Sequence, residues 1–154
     1  MTARRRALRR LAASVALATV IAATGCSPTG EATPPAPSTP GSTIVVAGEP
    51  VAVAQVTDAL ANLCTARQEA PDRPQAAEAR FFDRSHTTLH LVARALEDVD
   101  RSLAARLLEA KQKVESDFSG LATGDRVADD LGALIEVTRA ALDRLAVPVP
   151  PCAK

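Results

Sequence analysis

The ten residues FFDRSHTTLH, Phe81 to His90, hold two of the three phenylalanines and both histidines of a 154-residue chain that has no Trp or Tyr. On a helix turning about 100° per residue, side chains four apart lie on neighbouring turns of one face, so His86 and His90 project together. Two imidazoles at that spacing can share one Zn²⁺ or Cu²⁺. Asp83 and Glu97 fall on the same side, which makes Asp83, His86, His90 and Glu97 the candidate donor set. An acid from a facing helix, such as Glu115 or Asp129, could assist. Thr87, Thr88 and Leu89 separate the histidines, and the lack of a glutamate there argues against a metallopeptidase. The competing expectation is structural: a histidine bordering an apolar helix face caps a carbonyl or pairs with Asp83. Phe81 and Phe82 point in adjacent directions and are expected to plug one end of a helical body.

Other chemistries find little support. A serine nucleophile would have to be Ser85 or a distant serine working with His86 or His90, and no nucleophile elbow, Gly-rich phosphate loop or high-specificity zinc motif occurs. A haem pocket is not expected, because aromatic residues are scarce and the single methionine is Met1. The expectation is therefore a non-enzymatic binding or interaction module, with Zn²⁺ or Cu²⁺ binding through the histidine window as the alternative and an enzyme third.

The chain begins MTARRRALRR, five arginines without an acid, followed by an apolar and small-residue run from Leu11 to Ala23. Thirteen residues cannot cross a hydrocarbon core of about 30 Å as a helix, so the pattern reads as an export signal. Ala23-Thr24-Gly25-Cys26 places small residues directly before a cysteine and resembles the lipobox of bacterial lipoproteins. That resemblance covers residues 1–26 only, and Ala23 stands where the family most often has leucine. It implies a diacylglyceryl group on Cys26, which becomes the first residue of the mature chain, and an anchored location on the extracytoplasmic face of the cell membrane. Two or more acyl chains make such an anchor lasting, at about 0.8 kcal/mol per buried methylene. Removing residues 1–25 takes five of the 18 basic side chains and none of the 18 acids, leaving 13 against 18, a formal charge of −5. No basic patch then argues for nucleic acid. The expected partners are the membrane, through the lipid, and another envelope protein.

Residues 26–49 read as the lipidated cysteine and a flexible linker. Ser27 to Gly41 carries five prolines and no large apolar residue, so it cannot bury enough surface to offset its ordering entropy. Ile44, Val45 and Val46 are expected to form an extended lead-in lying against the domain.

Residues 50–154 must supply the body that positions the histidine window, and the expected class is all-α, a small antiparallel four-helix bundle. Pro50 opens the first helix, whose stripe is Val53, Val56, Leu60, Leu63 and Cys64, and which ends near Glu69 before Pro71 and Pro74. Phe82, Leu89, Val92, Leu96 and Val99 mark the second stripe. Leu103, Leu107, Ala110, Val114 and Phe118 mark the third. Val127, Leu131, Leu134, Ile135, Thr138, Leu142 and Leu145 mark the fourth. The second and third stripes stay in phase without Gly or Pro, which leaves one central helix of about forty residues as an alternative. A break at Asp98 to Ser102, with Asp100 as N-cap, matches the helix lengths better. The run Arg106 to Asp117 reads as a solvated face with pairs such as Glu109 to Lys113. With Cys26 assigned to lipid, Cys64 and Cys152 are expected to form a disulfide, the AVPVPPC tail running back along the body to reach it. A soft-metal thiol pair is the rival reading.

Overall fold

The structure, a computed structural model, describes residues 43–120 and 122–153. The expected export signal, the expected lipidation site Cys26 and the expected proline-rich linker as far as residue 42 lie outside the described residues. What is described is mostly helical, with one small sheet.

That sheet is a hairpin of strands β1 (Thr43–Val46) and β2 (Glu49–Ala52), paired antiparallel with Val46 opposite Glu49 and Ile44 opposite Val51. Ala47 and Gly48 both take positive φ, 51° and 87°, the combination that matches a two-residue turn to the twist of its strands. Alternation then buries Val46 and Val51 on one face and leaves Val45 exposed on the other. The expectation of a helix opening at Pro50 is corrected. Pro50 lies inside β2 because the residue before a proline favours extended backbone and because Ile44 to Val46 offers a pairing partner. The first helix starts three residues later, and the folded unit reaches back to Thr43, past the expected linker boundary at residue 49.

Helix α1 (Val53–Glu69) ends where Pro71 forbids continuation. Helix α2 (Pro74–Arg80) has Pro74 in its first turn, where a missing N–H costs nothing. It passes without a break through a π-helical turn, Phe81–His86, into α3 (Thr87–Leu96). Asp100 then caps α4 (Arg101–Ser119), its carboxylate accepting from the Leu103 N–H at 2.9 Å. The chain breaks at the expected place, and Val99, no longer helical, is exposed. Helix α5 (Gly124–Arg144) follows a cap in which Thr123 Oγ1 accepts from the Arg126 N–H.

The side-chain bonds show how these bodies run. Asn62 meets Arg80, Ala59 meets Ser85 and Gln55 meets Thr88, so α1 and the α2–α3 rod are antiparallel. Asp117 with Arg126 and Lys113 with Asp130 say the same of α4 and α5. Helix α5 also packs on α1, and α3 on α4, which closes the layers around a leucine-rich core. Leu60, Leu63, Phe81, Leu107, Leu134 and Leu142 have no measurable exposure, each burial worth about 1.5–3 kcal/mol. Near one end, Arg80 grips the buried Glu69 with Nε and Nη2 at 2.8 and 3.0 Å. Its hydrogen bond is the main reason the Glu69 carboxyl lies below its ordinary range.

Two details set the corners. An added Cβ on Gly124 would collide with the Ala70 carbonyl and stand 2.9 Å from Pro71 Cα, so the α4–α5 turn sits directly on the α1–α2 turn. At the far end Ala146 adopts φ 55°, and the N–H groups of Val147 and Ala146 return to the carbonyls of Leu142 and Asp143. This closure of the last turn seats the Val147 side chain in the core. The tail then reaches the disulfide between Cys64 and Cys152, Cα atoms 5.4 Å apart, and Gln68 Nε2 donates to the Ala153 carbonyl.

Gly124→Ala is expected to lower unfolding stability by about 1–3 kcal/mol, since the corner can relieve the clash only by moving backbone. A urea midpoint equal to that of the wild type would contradict the corner packing. The disulfide spans a sequence separation of 88, so its reduction should cost about 2–4 kcal/mol. Paired urea titrations with and without a reductant measure this.

Candidate functional site

The site is built on the π turn. Counting back seven residues from buried Leu89 along an α-helix gives Phe82, the expected core position. A π turn holds one residue more, which shifts the phase and places Phe81 in the core, wholly buried, and Phe82 at the surface, 38% exposed. Ser85, 1% exposed, is held inside the same turn and donates its hydroxyl to the Ala59 carbonyl of α1 at 2.9 Å. That bond satisfies the hydroxyl and removes Ser85 as a nucleophile for His86.

Around this turn all three phenylalanines and both histidines meet. Phe81 lies 5.0 Å from Phe82 and 5.7 Å from Phe118 between ring centroids, and 5.9 Å from His86. Phe82 stands 5.5 Å from His86 and 6.1 Å from Phe118. The His86 and His90 rings meet edge to face at 5.0 Å. These separations are those at which aromatic pairs attract. The outcome is a continuous aromatic and imidazole face with Phe81 as its buried base and Phe82 and His90 at its surface.

The electrostatics come from α4. His86 Nε2 donates to Glu115 Oε1 at 2.6 Å, and Lys111 Nζ donates to the same oxygen at 2.6 Å. The Lys111 side chain is only 4% exposed, so Glu115 is the counter-ion of a buried ammonium. Burial opposes ionisation of Glu115, but the bonds and charges of Lys111 and His86 outweigh it and hold its carboxyl below the ordinary 4.5. His90 moves below its ordinary 6.5, first through desolvation of its ring and then through the positive charge of Lys111.

The expected donors are placed apart. Asp83 is exposed beside Arg80 and Arg84, and Glu97 is exposed beside Asp98 and Arg101. Asp129 is exposed on α5. Glu115, the acid from the facing helix, does reach His86, and its charge is already matched by Lys111. Among the described residues no three His, Cys, Asp or Glu side chains come together as a ligand set. The run Arg106 to Asp117 is not simply solvated: Lys111 and Asp117 are buried, and Lys113 pairs with Asp130 rather than Glu109. No described helix is long and apolar enough to cross a membrane. No protein-family model, curated protein or solved structure matches the chain.

Glu115→Gln leaves the Lys111 ammonium buried without its counter-charge and should cost about 1–3 kcal/mol of unfolding stability. Lys111→Met should cost less, and urea titrations of both variants test the order. His90 binds its proton more weakly folded than unfolded, so stability should fall as pH drops below about 6.5. His90→Gln should flatten that limb, measured as unfolding midpoint against pH.

Proposed function

We propose that the protein is an extracytoplasmic lipoprotein, anchored to the cell membrane through Cys26, whose helical domain is a non-enzymatic binding module for another envelope protein. The domain is read as an antiparallel four-helix bundle with a hairpin at its start. The basic and apolar leader, the small residues before Cys26 and the proline-rich linker support the anchor and stalk. A Cys64–Cys152 disulfide suits an oxidising compartment.

The observation that carries the binding reading is Phe82. A large ring 38% exposed, already stacked on His86 and Phe118 and backed by Phe81, can be covered by a partner at little ordering cost. His86 borders it, with His90 and Glu115 in turn against His86, so groups that can hydrogen-bond lie to one side of the contact. The engaged hydroxyl of Ser85 and the ion-paired Glu115 leave this face suited to recognition rather than bond making.

Two measurements test the reading. Cys26→Ser should shift the protein from the membrane to the soluble fraction, and intact mass should show the acyl mass on wild type only. Retention of the variant at the membrane would remove the anchor. A photo-crosslinking residue placed at Phe82 in living cells should give a discrete adduct that one placed at exposed Glu136 on α5 does not. Equal labelling from both positions would remove the binding face.

A further inference from the structure

Asp117 on α4 and Asp130 on α5 are both buried, and one oxygen of each, Oδ2, has no hydrogen-bond partner. The remaining oxygens are engaged from outside: Lys113 Nζ binds Asp130 Oδ1 at 2.5 Å, and Arg126 Nε lies 3.2 Å from Asp117 Oδ1. Arg126 also stands 4.0 Å from Asp130 Oδ2, which places the two carboxyl groups around one guanidinium. Lys113 and Arg126 are 58% and 63% exposed, whereas the carboxyl side chains are 10% and 5% exposed. Water therefore screens the cations far more than it screens the acids. Glu78 of α2, lining the cleft that Asp117 borders, adds negative charge on that side.

Two ionised carboxylates facing each other in a buried joint repel, and each would leave an unsatisfied oxygen. One proton between them removes both costs, giving a charge-assisted O–H···O⁻ bond of the kind that is short and strong.

We propose that Asp117 and Asp130 share one proton across the α4–α5 joint, Asp117 donating to Asp130, so that the packing of these helices at the Gly124 corner responds to ambient pH. The hydrogen bond to Asp130, and then burial, raise the Asp117 carboxyl above its ordinary 3.8. Burial also works against ionisation of Asp130, but the bonds from Asp117 and Lys113 prevail and hold it below 3.8. The signs follow from linkage. Asp117, raised in the folded state, contributes stability that is lost as pH climbs through its raised value. Asp130, depressed, contributes stability that is lost as pH falls through its depressed value. The joint is tightest between the two, with one proton held, and loosens when that proton leaves.

The direct test is a carbon-13 NMR titration of the aspartate carboxyls in the full chain, from about pH 3 to about pH 8. The carboxyl of Asp117 should keep its proton above the ordinary carboxylate range, and the Asp130 signal should move with it. Independent titration of both groups at or below the ordinary value overturns the proposal without need of any variant. Asp117→Asn supplies a permanent N–H donor of nearly the same shape. His90 titrates alike in both proteins, so the difference isolates Asp117: the wild-type thermal midpoint should fall relative to that of the variant as pH rises through the Asp117 titration, and the variant should exceed wild type on the alkaline side. A variant that keeps the wild-type slope is the second result that overturns it. Amide protection over residues 117–130, taken relative to the base-catalysed intrinsic exchange rate at each pH, should fall with rising pH in the wild type and hold in the variant.

Discussion

The bond from Ser85 Oγ to the Ala59 carbonyl sits where α1 meets the π turn, and the rest of the site depends on the phase it holds. A buried hydroxyl left unpaired costs about 1–3 kcal/mol, so the rod must present Ser85 to α1 rather than to solvent. With Ser85 and Phe81 both turned inward, Phe82 has no place left in the core. His86, the next residue after Ser85, is carried toward α4, where Glu115 meets it. One extra residue in the turn therefore decides which ring is buried, which is exposed and which imidazole gains a carboxylate.

Helix α4 is the electrostatic counterpart of that rod. It buries Lys111 on one side, answered by Glu115 of its own next turn, and Asp117 on another, where it shares Arg126 with Asp130 of α5. Neither burial adds much net stability, because desolvation consumes most of the Coulomb gain. Their effect is on specificity. A helix that must place a lysine against the histidine rod and an aspartate against α5 can rotate only slightly before a buried charge loses its partner. The leucines of the core tolerate small rotations better, so these charges fix orientation where apolar packing alone would leave latitude.

The helices were legible because their signals are local and periodic. The stop at Glu69, the cap at Asp100 and the fourth stripe from Val127 to Leu142 depend on a proline, a carboxylate and a 3.6-residue repeat, and each appears where it was read. What escaped depends on contacts distant in sequence. The hairpin turns on Ala47–Gly48, without the Asn-Gly or Asp-Gly that marks such a turn. The π turn has no sequence signature of its own, since its extra residue is justified by Ala59, 26 positions away from Ser85. The i,i+4 rule pairs Lys113 with Glu109, but Asp130 on the facing helix is the stronger partner because it is buried and shares its other cation, Arg126, with Asp117. For the histidine window, spacing put the two imidazoles side by side, as they are, yet spacing could not show that Lys111 already neutralises the acid beside them.

On the binding reading, rigidity is the property that gives the aromatic face its value. Phe82 is not a side chain waiting to be ordered. Its ring is braced by Phe81, Phe118 and His86, and the rod beneath it is held to α1 by Ser85 and Arg80 and to α4 by Glu115. Ordering a free side chain on association costs about 0.5–1.5 kcal/mol, and a braced ring avoids most of that. The polar groups at its edge are likewise fixed, since turning His86 away would break its bond to Glu115 and weaken the compensation of Lys111. A partner covering Phe82 would thus meet an aromatic centre with a set polar border, the arrangement in which a few residues can supply most of a contact's free energy.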